Sequence, residues 1–448
     1  VISGAIGFLK TRSAMTAQME GWAASSALVG CVLGAAFAGT LNDRFGRKKV
    51  LFLAAVFFFV SAVGTALPRS LAEFIVFRIL GGIGVGAASL TSPLYIAEIA
   101  PARFRGRMVS VNQFAIVSGI SLVYFVNYFI AQYGSVFDTA QGIAAASETS
   151  WNVVYGWRWM FGSEMLPAAL LLILMFFVPE SPRWLMKQGR EEEARGILTR
   201  VDGEEHAQEE LAEIRATLET VHVSLGQLIQ PGLRAVLFLG VALAVLQQIT
   251  GINVVLYYGP EIFKKTGIAY DQALLWTTLV GIVNIAFTVA AIWTVDRLGR
   301  KPLMLIGAAG MGLSLISLGA AFYLGAAGPL TLLFVLGYIA FFALSVGPVT
   351  WVILSEIFPT QIRGRAMSIA TVCLWTANFI VSQTFPMMND NETLVAWFHH
   401  GFPFWCYAAF CAVLFFVTFA MVPETKGKSL EEIERCWIPI REDRDISS

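Results

Sequence analysis

The sequence predicts an all-α integral membrane protein built from two related six-helix bundles, and three observations predict it. First, the loop Asp43-Arg44-Phe45-Gly46-Arg47-Lys48 returns as Asp296-Arg297-Leu298-Gly299-Arg300-Lys301, each copy between long apolar segments. A second pair, Glu98-Ile99-Ala100-Pro101 with Arg105-Gly106-Arg107, returns at nearly the same offset as Glu356-Ile357-Phe358-Pro359 with Arg363-Gly364-Arg365. Two unrelated motifs repeating at one period mark a duplicated chain, an architecture found in secondary transporters. Second, the 448 residues are 56% hydrophobic and 14% charged, with a mean hydropathy of +0.67. Soluble domains carry roughly 25% charged residues, so this chain has too few to cover a water-facing globule. Third, apolar stretches recur along the whole chain.

A stretch of about 20 apolar residues crosses the roughly 30 Å hydrocarbon core as a helix. Eleven are long enough: 22–41, 50–67, 72–97, 107–131, 158–178, 233–262, 271–295, 302–324, 329–355, 364–386 and 399–422. The opening run Val1 to Leu9 is too short to cross and reads as the outer half of a first helix that starts before this sequence. The expected division is a first bundle over 1–179, a cytoplasmic linker over 180–232, a second bundle over 233–423 and a tail over 424–448. Loops 42–49, 98–107, 180–232, 296–301 and 358–365, with the tail, hold most of the 31 basic residues. By the positive-inside rule these loops and both termini are expected in the cytoplasm.

In the repeated loop, the glycine permits a tight turn, the bases hold that turn outside the lipid, and the acid is free to pair with a base or cap a helix. Glu98 is expected to pair with Arg105 and Arg107, and Glu356 with Arg363 and Arg365. Ion pairs that form in one conformer and part in another would make these loops a cytoplasmic gate; the alternative is a topological anchor alone. Gly82-Ile83-Gly84-Val85-Gly86-Ala87 fits a dinucleotide fingerprint, but no strand precedes it and no helix end there faces water. Its glycines read instead as a small-residue face for close helix packing. The linker carries acid and base at helical spacing, as in Glu191-Glu192-Glu193-Ala194-Arg195. It is either a solvated connector or a latch onto the basic loops. Thr250-Gly251, Tyr257-Tyr258-Gly259-Pro260 and Gly347-Pro348 are expected to interrupt helices near the midplane. Gly427-Lys428-Ser429 resembles the end of a phosphate loop, but residue 422 is Val where a glycine is needed, so no ATP site is expected. A net charge of zero argues against nucleic acid. Cys31, Cys373, Cys406, Cys411 and Cys436 offer no disulfide or metal framework. No cofactor, metal or catalytic group is expected, and the chain does not read as an enzyme.

Six neutral amides lie within apolar spans: Gln113, Gln247, Gln248, Asn253, Asn284 and Asn378. Each both donates and accepts hydrogen bonds, which suits sugar hydroxyls. A cation calls for carboxylates or bare carbonyls instead, and an anion for Arg or Lys. Tyr257, Tyr258, Trp351 and Trp375 lie near them and offer rings to the apolar face of a pyranose. For any single amide the alternative is an interhelical bond. Arg78 and Glu164 are charged groups inside apolar spans, each costing about 2.5–3.5 kcal/mol on insertion scales. They are expected to pair, either as a static bridge or as part of a proton-responsive cluster.

Pro179-Glu180-Ser181-Pro182-Arg183-Trp184-Leu185, Gln247-Gln248 with Gly251-Ile252-Asn253 and Tyr257-Tyr258, and Pro423-Glu424-Thr425-Lys426-Gly427 resemble the sugar porter family of the major facilitator superfamily over nearly the whole chain. Within it, Val111-Asn112-Gln113-Phe114-Ala115-Ile116, Thr294-Val295-Asp296 and Thr384-Phe385-Pro386-Met387-Met388 are most similar to a bacterial proton-coupled pentose symporter. The resemblance implies the major facilitator fold and alternating access, with a monosaccharide and protons as partners in the bilayer and a functional monomer. It implies sugar contacts from Gln113, Gln247, Gln248, Asn253, Tyr257, Asn284, Trp351 and Trp375, with Gly347 beside the pocket, and a coupling role for Arg78 and Glu164. It also adds Glu180, Arg183 and Glu424 to the gate formed by Asp43, Arg44, Arg47, Asp296, Arg297, Arg300 and the Glu98 and Glu356 clusters. Ile120 and Leu374 stand where the pentose symporter has glutamines, so an apolar wall is expected to suit a hexose better. The family's proton-binding acid lies three residues before the segment matching Val1-Ile2-Ser3-Gly4, outside this sequence. A facilitative uniporter, or a sugar sensor that does not transport, therefore stays open beside the symporter.

Overall fold

The computed structural model describes residues 1–101, 105–144, 147–219, 231–326, 328–358 and 363–426. The side chains of Arg105, Arg107, Asp296 and Arg363, the linker end 220–230 and the tail 427–448 lie outside the described residues, and so do the roles expected of them. The first half comprises α1 (Ile2–Ser13), α2 (Ala17–Phe45), α3 (Arg47–Ala66), α4 (Leu71–Ile99) and α5 (Arg105–Ala140). Its sixth span is bent, running through a π-helical turn (Asn152–Gly156), α6 (Trp157–Gly162) and α7 (Met165–Phe177). The linker folds as α8 (Pro182–Lys187), α9 (Glu191–Asp202) and α10 (Glu204–Glu219). In the second half, α11 (Pro231–Ile249) and α12 (Ile252–Lys264) share a span, followed by α13 (Tyr270–Leu298) and α14 (Arg300–Tyr323). Then α15 (Pro329–Phe341), a π-helical turn (Phe342–Val346) and α16 (Gly347–Ile357) form one span, before α17 (Arg363–Asn389), the short α18 (Glu392–Phe398) and α19 (Phe402–Met421). Among the described residues eleven helical stretches are long and apolar enough to cross a membrane.

Several helices run past their apolar cores because polar groups carry them onward. Thr16 caps α2 by accepting the Met19 N–H at 3.3 Å. Asp138, only 3% exposed, ends α5 by accepting the Ser150 hydroxyl at 2.6 Å and the Trp151 N–H at 2.8 Å. Of the two helices expected to be interrupted, the first breaks at Gly251 alone and the second carries a bulge. Gly251 does break the span, at φ 92°. At Tyr257–Pro260, however, α12 continues straight through the proline. Pro260 has no N–H for the Leu256 carbonyl four residues back, and that carbonyl accepts the Tyr124 hydroxyl at 2.8 Å instead. Gly347-Pro348 likewise opens α16 behind a π-helical turn, a bulge within a continuous span.

The glycines of the rejected fingerprint hold the first half together. A Cβ on Gly82 would stand 1.9 Å from the Ala27 carbonyl oxygen, and one on Gly86 2.1 Å from that of Cys31. Backbone therefore touches backbone between α2 and α4, the close approach that small residues permit. The halves meet along α2–α17 and α5–α13. These are the second and fifth spanning helices of one half against the fifth and second of the other, as a two-fold duplication requires. The linker has its own small core of Trp184, Leu185, Ala194, Ile197, Leu198, Ala207, Leu211 and Ile214. Its charges pair mainly with each other, Arg215 with Glu191 at 2.6 Å and Arg195 with Glu204 at 2.5 Å.

Gly86→Val should greatly reduce the yield of monodisperse protein on extraction, since overpacking a tight contact costs about 1–3 kcal/mol or more. Gly119→Ala, with nothing within 4 Å of the new methyl, should extract like the unchanged protein. Fluorescence size-exclusion profiles compare the two; equal profiles would remove the α2–α4 seam from the account.

Candidate binding site and gates

The break at Gly251 places two consecutive amides at the end of α11 and a third in the first turn of α12. The Gln247 side-chain N–H donates to the carbonyls of Val346 at 3.1 Å and Gly347 at 2.9 Å, tying this break to the bulge before α16. Gln248 donates to Gln247 Oε1 at 3.3 Å, and Asn253 donates to Gln248 Oε1 at 2.5 Å. Tyr338 of α15 donates to the Thr250 carbonyl at 2.9 Å, and a Cβ on Gly251 would stand 2.7 Å from the Tyr407 ring. The hinge is thus fixed from two sides. On α17, Asn378 lies beside the Tyr257 hydroxyl and accepts the Ser382 hydroxyl at 3.1 Å. The Trp375 indole N–H is a buried donor without a partner among the described residues. Asn284 on α13 is 7% exposed and Leu374 on α17 3%, while Gln113 and Ile120 on α5 and Trp351 on α16 are half-buried. The structure links Gln247, Gln248 and Asn253 directly. Their remaining amide functions and the Trp375 N–H are what a polyhydroxylated ligand needs.

Arg78 and Glu164 do not form the expected direct pair. The Arg78 guanidinium donates to the Ala24 carbonyl at 2.8 Å and lies 6.0 Å from the centre of the Phe161 ring, with its Nε buried and unpartnered among the described residues. The Ala24 carbonyl holds the guanidinium toward α2, so Glu164, at the head of α7, reaches it only through space.

At the basic end of the bundle each repeated loop is capped by an acid that follows the last span of its half. Glu180 accepts the N–H groups of Arg47 at 2.9 Å and Lys48 at 3.0 Å. Glu424 accepts those of Arg300 at 3.0 Å and Lys301 at 3.1 Å. Burial pushes the Glu424 carboxyl up, but these backbone donors more than offset it and hold it below the usual range. The pairs expected of Glu98 with Arg105 and Arg107, and of Glu356 with Arg363, rest on side chains outside the described residues; among the described ones each acid meets the first arginine after the repeated turn. Arg47 grips Glu98 with two bonds of 2.8 Å, and Arg300 meets Glu356 at 3.0 Å. The tight turn at Gly46 or Gly299, at φ 91° in both, sets the first residue of the next helix beside the acid. Ser181 and Thr425 complete the two sites with hydroxyl donors at 2.5 Å. Asp43 meets Arg47 at 3.8 Å and Lys187 at 3.3 Å, and Arg44 lies over the Phe45 ring at 5.2 Å. Arg183, Arg297 and Arg365 are exposed. Each described ion pair at this end stays within one half and its linker.

The far end behaves oppositely. Lys10 of α1 meets Glu20 at 2.6 Å and Asp390 at 3.3 Å, and Lys265 meets Asp390 at 3.0 Å. Tyr270 donates to the Gly4 carbonyl at 3.3 Å, Gln383 to that of Gln18 at 3.2 Å, and Ser25 to Gln383 at 2.8 Å. The Lys10–Asp390, Tyr270–Gly4, Gln383–Gln18 and Ser25–Gln383 contacts join the two halves and close this end. The sequence reading missed them. Their only signal was two acids at the edges of apolar runs, matched by the few bases in the loops opposite the basic end.

The profile of the sugar (and other) transporter family matches residues 7–437. The chain is 49% identical over 437 residues to the D-xylose-proton symporter of Escherichia coli, covering 94% of this chain and 86% of that protein. It is 42% identical over 440 residues to the arabinose-proton symporter of Bacillus subtilis, covering 98% and 91%. A solved structure of the E. coli xylose transporter, in a partially occluded inward open conformation, superposes with a TM-score of 0.82 at 44% identity, covering 96% of this chain and 94% of that one.

Burial pushes the Asp390 carboxyl up, but the Lys265 hydrogen bond and the Lys10 charge more than offset it, leaving it below its ordinary 3.8. A depressed acid contributes its stabilisation above that ordinary value and loses it only as pH falls through the lower one. The share of far-end closure that Asp390 contributes, read as the difference between the unchanged protein and Asp390→Asn, should therefore stay constant from about pH 8 to about pH 5. Spin-label distances between the far ends of α2 and α17 would measure it, and a shift inside that window would contradict the assignment.

Proposed function

Because the chain belongs to the sugar transporter family, we propose that it is a proton-coupled monosaccharide symporter working by alternating access, and the amide chain Gln247–Gln248–Asn253 at the α11–α12 hinge carries this reading. The sugar takes its hydroxyl contacts from Gln113, Gln247, Gln248, Asn253, Asn284 and Tyr257, and stacks on Trp351 and Trp375 beside Gly347. The bundles 1–179 and 233–423 rock about that site, held by the linker 180–232. The basic end faces the cytoplasm of a bacterial inner membrane, with both termini there, and a monomer suffices. Lys10, Glu20, Lys265 and Asp390 then close the outer side in the conformer seen, while the basic loops close the inner side in the other. Supporting names come from relatives, two of which are sugar–proton symporters.

For coupling, the resemblance to the family implies a proton-binding acid on the first helix that shares one cluster with Arg78 and Glu164. When it takes up a proton it releases the guanidinium, which turns from its present hold toward Glu164; the two arrangements favour opposite openings. Such a switch needs Arg78 unpaired in one state, which fits the orphaned Nε and the absence of a direct bridge. No covalent step is involved, and the reading is of a transporter without catalytic groups.

Gln248→Ala or Asn284→Ala should each weaken sugar binding by about 0.5–1.5 kcal/mol, the net worth of a hydrogen bond, and Trp351→Ala by more. Ile120→Gln with Leu374→Gln should move the preference from glucose toward xylose, since an unpaired buried amide disfavours the wrong ligand. Isothermal titration measures both; unchanged affinities and ratios would place the pocket elsewhere.

Glu164→Gln should leave sugar exchange down a gradient intact while sharply lowering accumulation driven by an imposed pH gradient in proteoliposomes. If the unmodified protein equilibrates sugar but never concentrates it, facilitated diffusion replaces symport.

A further inference from the structure

Two prolines lie inside spanning helices of the second half, Pro260 in α12 and Pro386 in α17. Each lacks the N–H that would bond the carbonyl four residues earlier, so Leu256 and Ser382 carry carbonyls without an intrahelical proline donor. In lipid such a group has no water to turn to, and it must be satisfied from within the protein. Both are met the same way. Tyr124 of α5 donates to the Leu256 carbonyl at 2.8 Å, and Tyr258 of α12 donates to the Ser382 carbonyl at 2.8 Å. The hydroxyls are not incidental surface contacts: Tyr124 is 5% exposed, Tyr258 1% and Ser382 0%.

The first bond crosses between the halves. Ser121, one turn before Tyr124, donates to the Gly281 carbonyl of α13 at 2.9 Å. A Cβ on Gly281 would stand 3.0 Å from the Tyr124 ring. The bare glycine therefore lets the ring lie against α13 and its hydroxyl reach α12. The second bond carries the connection on, from α12 to α17, whose end holds Asp390 of the far-end closure. Between the two attachment points, Leu256 and Tyr258, sits Tyr257 of the candidate sugar site.

We propose that Tyr124 and Tyr258 are positioning residues for transport, a two-rung hydroxyl ladder that uses the carbonyls vacated by Pro260 and Pro386 to tie α12 to the opposite half and to α17 when the far end is closed. The ladder rests on the reading that the halves alternate. Opening the far end draws α12 away from α5, and the first rung breaks. The broken rung leaves the Leu256 carbonyl to water entering from that side, so the bond favours the closed conformer while still permitting the open one.

Tyr124→Phe removes the donor and keeps the ring. In hydrogen–deuterium exchange on the full chain, the far-end segments 2–13, 252–264 and 386–398 should open about tenfold more readily, while the basic-end segments 39–50 and 296–305 become more protected. Opposite signs at the two ends mark a shift between conformers; faster exchange at both ends would mean simple loosening and would overturn the proposal, as would no change. Pro260→Ala returns an N–H to residue 260, so adding Tyr124→Phe to it should change far-end exchange by no more than about twofold, a coupling of the kind that double-mutant cycles read. An undiminished effect in that background overturns the role of the vacated carbonyl. Should Pro260→Ala fail to fold, Tyr258→Phe with Pro386→Ala runs the same cycle on the second rung. Accumulation of sugar under a proton gradient tests the symport reading separately, because the exchange measurement needs no transport.

Discussion

A polar group inside this bundle has no solvent to fall back on, and the architecture follows from where each such group finds its partner. Carbonyls freed by Gly251, Pro260 and Pro386 are taken by Tyr338, Tyr124 and Tyr258. The amide of Gln247 is spent on the backbone at the second bulge. The irregular backbone sits where transporters place it, within protein and beside polar side chains. Helices that look broken on paper are continuous because a hydroxyl from elsewhere does the work of the missing N–H.

The same need for partners explains why the two ends differ. At the basic end, Arg47 with Glu98 and Arg300 with Glu356 make duplicated clusters that each half completes alone. At the far end, Lys10 is shared between Glu20 of its own half and Asp390 of the other. Bonds internal to a half survive any rocking of that half, whereas shared bonds must be exchanged for something else. The described ion pairs therefore hold one conformer from the far end.

Much of the fold was legible in the sequence because it is written in coarse signals: apolar length, the sign of loop charge and one repeated loop. Gly251 was legible too, since a break needs a residue that tolerates positive φ. The failure at Tyr257–Pro260 has one cause. Proline shows which carbonyl loses its donor, but which residue replaces that donor depends on helices far along the chain. The Arg78–Glu164 pairing failed for a similar reason, because the competing acceptor was the backbone of Ala24, which no pattern of side chains discloses. Glu98 and Glu356 were recognised as ion-pair acids; that Arg47 and Arg300 also reach them was not, because it depends on the turns at Gly46 and Gly299. The far-end network was illegible because its members are single charges in four separate segments.

The capping acids Glu180 and Glu424 also bear on how the chain is made. Each lies just past the last span of its half and seals the start of that half's third helix, α3 or α14. The N–H groups at the head of α3 come off the ribosome well over a hundred residues before their acceptor, and domains fold in order as they are synthesised. Until Glu180 is made, the N–H groups of Arg47 and Lys48 lack the acceptor they have in the folded bundle. The second half repeats that wait for Glu424. The duplication has thus preserved, besides a shape, a dependence on length: a half that stops before its last span ends lacks the acid that caps its third helix.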